Sequence, residues 1–101
     1  MCRIRPVSIN IMGIPYQMEY VREPIIQDGA TCGGQIDFWN RKIKIAETPN
    51  AEDMFQTILH EVLHGIANAV HMEMDENSTD ILAGVIMDTF CRNGWIKEDE
   101  E

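Results

Sequence analysis

The amino-acid sequence predicts a small α+β domain, an antiparallel sheet of two β-hairpins with two helices packed against it. Three observations predict it. The first half of the chain carries short runs of alternating apolar residues broken by glycine, proline and asparagine, the pattern of strands joined by tight turns. The second half carries apolar residues at helical spacing over two long segments. Strands precede helices, which is the order of an α+β domain rather than of alternating βαβ units.

The elements follow in order. Residues 3–12 alternate around Ile4, Val7, Ile9 and Ile11, with Pro6 near the start of an edge strand. Gly13-Ile14-Pro15 signals a turn, and Tyr16 to Val21 forms the second strand. Residues 22–33 read as a loop. Gly34 to Trp39 and Lys42 to Ala46 alternate again and make a second hairpin through Asn40-Arg41. Thr48-Pro49, with Asn50 as an alternative cap, opens a helix running to about Val70. Its apolar stripe is Phe55, Ile58, Leu59, Val62, Leu63, Ile66 and Ala69. Gly65 interrupts it at a cost of about 1 kcal/mol relative to alanine, which a close neighbour would explain. Asp75 caps a second helix from Glu76 to about Cys91, with an apolar face of Ile81, Leu82, Val85, Ile86, Thr89 and Phe90. Asn93-Gly94 closes it, and Trp95 and Ile96 are expected to fold back onto the core.

With 101 residues, 45% of them apolar, the chain is expected to form one domain, 1–96, with an acidic tail at 97–101. A formal net charge of −9 argues against nucleic-acid binding by bulk electrostatics and leaves a DNA mimic as a remote reading. No run reaches the length of a membrane span, and the N-terminus lacks the apolar stretch of a signal peptide. Cys2, Cys32 and Cys91 are an odd number without paired spacing. Free thiols in a reducing cytoplasm are the expectation.

His60-Glu61-Val62-Leu63-His64 lies in the first helix. Four residues advance a helix about 6 Å and slightly over one turn, so the two imidazoles point the same way and can grip one cation. Glu61 stands beside the first ligand, placed to take a proton from water. Zinc held by three protein groups keeps an open position and lowers the pKa of water to roughly 7. The residues alone leave the third ligand open. His71 lies 7 residues past His64, about 10 Å further along a continuous helix. Glu76 and Asp80 share a face of the second helix with Ala83 and Gly84, whose small size permits close approach. Antiparallel packing would bring Glu76 back to His64 and let Asp80 accept the spare ring N–H of a ligand histidine. Both acids equally suit the first turns of a helix on dipole grounds alone.

His60 to His64 followed by Glu76-Asn77-Ser78-Thr79-Asp80-Ile81 resembles the gluzincin arrangement of thermolysin-like peptidases. The resemblance implies Glu76 as third zinc ligand and Asp80 as the partner that orients His60. The interval between the two motifs is shorter here than in thermolysin. Gly33 to Asp37, Gln56 to His64 and Leu82 to Gly84 further resemble small phage and prophage metallopeptidase-like proteins related to the ImmA/IrrE group. That likeness covers most of residues 9–94. It implies a minimal zincin-like fold and a cytoplasmic zinc endopeptidase acting on a protein or peptide substrate, a repressor-like transcription regulator among them. The edge strand that pairs with substrate in zincins is expected at Lys42 to Ala46. Candidates for stabilising the oxyanion or lining the cleft are His71 and Tyr16, with Tyr20 and Arg41 behind them. The alternative to an enzyme is a binding module whose zinc site staples a small core.

Overall fold

The computed structural model describes residues 5–48 and 51–95, with only the backbone of 51 and 52. Its elements are β1 (Ser8–Ile11), β2 (Ile14–Val21), β3 (Ile25–Gln27), β4 (Ala30–Cys32), β5 (Gly34–Asp37), β6 (Lys42–Ala46), α1 (Ala51–Ala69) and α2 (Glu76–Arg92). The fold is α+β, with both hairpins in the expected segments.

The sheet is mixed rather than antiparallel, in the order β1-β2-β6-β5. The hairpins join through β2 and β6, which run parallel with Met18 opposite Ile43 and Tyr20 opposite Ile45. This pairing buries the longest strand of the first hairpin beside the most apolar strand of the second. Ile43 and Ile45 are fully buried, and Ile11, Tyr16, Met54 and Ile58 complete the core. Pro15 lies on β2 opposite Asn10, before the stretch that meets β6, so its missing N–H removes no bond to that strand.

The turns differ in detail from expectation. The first turn falls at Met12-Gly13, both with positive φ, and takes Ile14 and Pro15 into β2. The expected loop 22–33 holds the hairpin β3–β4. Asp28 and Gly29 turn it with φ of 54° and 78°, as suits a two-residue Asp-Gly connection. β5 ends at Asp37, whose carboxylate accepts bonds from the backbone N–H groups of Trp39 and Asn40 and from the Asn40 side chain. This side-chain capture starts the turn two residues earlier than the alternation suggests.

α1 packs on β1, β5 and β6, and α2 packs on α1 instead of on the sheet. Gly65 faces β1 and β5. A Cβ there would stand 2.6 Å from Ile11 Cδ1 and 3.2 Å from Ile36 Cδ1, so a close neighbour accounts for the glycine. The α1 cap expected at Thr48-Pro49 or Asn50 rests on residues outside those described.

The Asp75 carboxylate accepts from the Ser78 backbone N–H at 2.6 Å, which caps α2 as expected. The face that α2 turns inward is not the apolar stripe. Thr79 and Ala83 are fully buried, and Gly84 lies against the Gln56 side chain. Ile81, Leu82 and Val85 are exposed. Small residues let the helices approach closely, and this contact overrides the larger side chains. Trp95 does not reach the core either. It leans on Phe90 of its own helix, ring centroids 5.3 Å apart, where Gly94 with positive φ ends α2. Ile96 and the acidic tail lie outside the described residues. Cys32 and Cys91 form no disulfide, and Cys2 lies outside the described residues.

Candidate metal centre

α1 carries His60 and His64 one turn apart on the flank facing α2. The first turn of α2 returns Glu76 to both of them. Glu76 Oε2 is 2.9 Å from His60 Nε2, and Glu76 Oε1 is 2.8 Å from His64 Nε2. The two Nε2 atoms are 3.1 Å apart. His60, His64 and Glu76 thus form a group that could hold a metal ion.

The donor chemistry fits a cation. If both histidines are neutral with the proton on Nδ1, two nitrogen lone pairs and a carboxylate converge on one point, a repulsive arrangement that a positive charge relieves. Donors bound at about 2.0–2.1 Å to a tetrahedral ion stand about 3.3 Å apart, close to the spacing here. On the far side of His60, Asp80 Oδ1 lies 3.4 Å from Nδ1, the side on which a carboxylate fixes the tautomer of a ligand histidine. The helix-dipole account of Glu76 and Asp80 does not explain why both reach histidines of another helix.

Glu61 is only 6% exposed and lines the same cleft as the triad. Two glycines make its placement possible. A Cβ on Gly34 would stand 2.8 Å from Thr57 Cγ2 and 3.1 Å from both Glu61 Cγ and Oε2, and one on Gly33 would stand 3.4 Å from Thr57 Oγ1. The close passage of β5 over α1 therefore requires Gly34. Gly34→Ala is expected to push β5 away and cost about 1–3 kcal/mol, read as a lowered thermal midpoint.

Burial pushes the Glu61 carboxyl up to about 7, opposed by the attraction of His60 and aided by the repulsion of Glu76. A carboxyl raised by folding makes the folded state favour the protonated form. Its stabilising contribution is full below its ordinary value of 4.5 and is lost as pH rises to about 7. Asp37 and Asp75, held low by their hydrogen bonds, act at lower pH, where their stabilisation fades as pH falls. Metal-free protein is thus expected to lose about 3 kcal/mol between about pH 4.5 and about pH 7.5 through Glu61. Melts of wild type and Glu61→Gln in chelator check this, since the variant lacks that loss.

The cleft measures ≈ 910 Å³ and runs between α1, α2, β5 and the β3–β4 hairpin. β6 does not supply its edge, because β2 and β5 pair with it on both sides. β5 is one of the two edge strands of the sheet, and Gly34 and Ile36 on it line the cleft. Tyr16 is not a cleft residue. β2 turns it into the core, where it is 4% exposed. His71 follows the end of α1 with φ of 58° and also lies away from the cleft. Neither Tyr20 nor Arg41 lines it. Sequence reasoning missed Gln56, Asp28 and Asp53 as cleft residues. Gln56 had a readable signal, since it precedes His60 by one helical turn on the same face. Asp28 had the Asp-Gly turn, without any sign of where the hairpin would lie.

No protein-family model, curated protein or solved structure matches the chain.

Proposed function

We propose that the protein is a zinc-dependent endopeptidase of the zincin type, acting in the cytoplasm on a protein or peptide. One observation carries the reading. His60, His64 and Glu76 converge at 2.8–3.1 Å in the same cleft as Glu61, a residue only 6% exposed. Two imidazoles and one carboxylate suit zinc with an open position. Zinc bound there supplies Lewis acidity, acidifying water and polarising a carbonyl.

The chain's own groups do the rest. Glu61 accepts a proton from the attacking water and returns it to the leaving amine. Its position in the cleft beside the metal ligands puts it within reach of that water. Asp80 holds His60 in the tautomer that leaves Nε2 free. Gln56 lines the same cleft, and neither Tyr16 nor His71 does. The open edge of β5, rather than Lys42 to Ala46, aligns an extended substrate by strand addition. The resemblance to the ImmA/IrrE group supports a regulatory protein of a phage or prophage as the substrate.

The test is metal-dependent cleavage. Purified protein is expected to bind one zinc per chain and to cut an unstructured peptide library. Chelation should stop cleavage and added zinc should restore it. Tight zinc without any cleavage would favour the second reading, a non-catalytic zinc-stapled module. Glu76 gives that reading its support, since a shared ion would tie α2 to α1. The buried carboxylate of Glu61 stands against it, because a purely structural site has no use for an acid beside the metal. A function that survives chelation would sink both readings.

A further inference from the structure

We infer that the cleft selects peptides carrying Lys or Arg beside the reacting bond, an inference that rests on the cleft being the substrate site. Its lining holds Asp28, Asp53, Glu61, Glu76 and Asp80, and no Lys or Arg. The described cations, Arg5, Arg22, Arg41, Lys42, Lys44 and Arg92, all lie elsewhere. Lys42 and Lys44 alternate with the buried Ile43 and Ile45, so they face away from α1 and its cleft. Acidic side chains therefore line the cleft, and none of the described cations does.

A divalent ion in the triad offsets only part of this negative charge. Asp28 sits at the tip of the β3–β4 hairpin, and Asp53 lies on α1 nearly two turns before His60. Both line the cleft away from the triad. Walls of one sign in a concave, partly desolvated site focus the field and discriminate by charge. Ile36 and Phe38 on the β5 side offer the apolar stems of long cationic side chains a surface to lie along. An acidic peptide meets like charge on both walls, which raises its dissociation constant rather than merely failing to lower it.

The test uses three labelled octapeptides of one apolar framework with a central pair of Lys, Gln or Glu. Binding is measured by anisotropy to the zinc-loaded Glu61→Gln protein and to the metal-free wild type. The Lys peptide is expected to bind about tenfold tighter than the Gln peptide, with the Glu peptide weaker still. The preference should shrink as salt rises from about 0.02 M to about 0.5 M. The double variant Asp28→Asn, Asp53→Asn should remove most of it, and Glu73→Gln with Asp88→Asn, outside the cleft, should leave it intact. Equal binding of the three peptides, no binding at all, or a preference that survives the cleft variant would overturn the inference. Hydrolysis is scored separately. Charge-blind cleavage by wild type sinks this inference and spares the peptidase, whereas selective binding without cleavage does the reverse.

Discussion

Glu61→Gln is expected to lower kcat by about 10²–10⁴-fold while leaving zinc content at one ion per chain. Glutamine keeps the size of the side chain and its close fit under Gly34, where Cγ and Oε2 of Glu61 lie 3.1 Å from the position a Cβ on Gly34 would take. It removes the ability to accept a proton. It also removes a buried carboxyl raised to about 7, so the metal-free variant should be more stable than wild type near neutral pH. Lost activity, retained metal and raised apoprotein stability together mark a proton carrier in an enzyme. Unchanged activity would refute the hydrolytic role of Glu61, and lost zinc would make it a ligand. Zinc content by elemental analysis and kcat on one peptide separate the three cases.

Glu76→Ala is expected to have the largest effect on metal. Glu76 reaches both histidines, at 2.9 Å and 2.8 Å, and its loss leaves two donors on one helix. Zinc affinity should fall by more than the roughly 10–100-fold typical of residues that only orient a ligand. Asp80→Asn, which weakens a 3.4 Å contact to His60 Nδ1, should stay within that lower range. Competition with a chromogenic chelator measures both, and His71→Ala serves as the control without effect. Full affinity in Glu76→Ala would remove the carboxylate from the ligand set.

The site was more legible in the sequence than the fold around it. His60 and His64 follow from helical periodicity, which is local, whereas the residues alone left Glu76 open beside His71 and Asp80 and the gluzincin resemblance singled it out. Asp75 announced the start of α2 by its own chemistry, and that start fixes where Glu76 returns. The pairing of β2 with β6 was not readable, because the alternation of Lys42 to Ala46 states which face is wet but not which strand lies beside it. The inward face of α2 misled for a related reason. Ile81, Leu82 and Val85 make the stronger apolar signal, yet a helix that must come close enough for Glu76 to touch His64 needs Ala83 and Gly84 at the contact. Tyr16 had the composition of a catalytic group, and its place on a core-facing strand removed it.

The seam between α1 and α2 is closed by Thr79, Ala83 and Gly84, side chains that bring backbones near and bury little oily surface. An ion held by Glu76 and the two histidines, on the proposed reading, would therefore add a clasp to a seam that small side chains close. On that reading, withdrawing the ion would loosen α2 against α1, and protease digestion of the chelated protein would begin in α2.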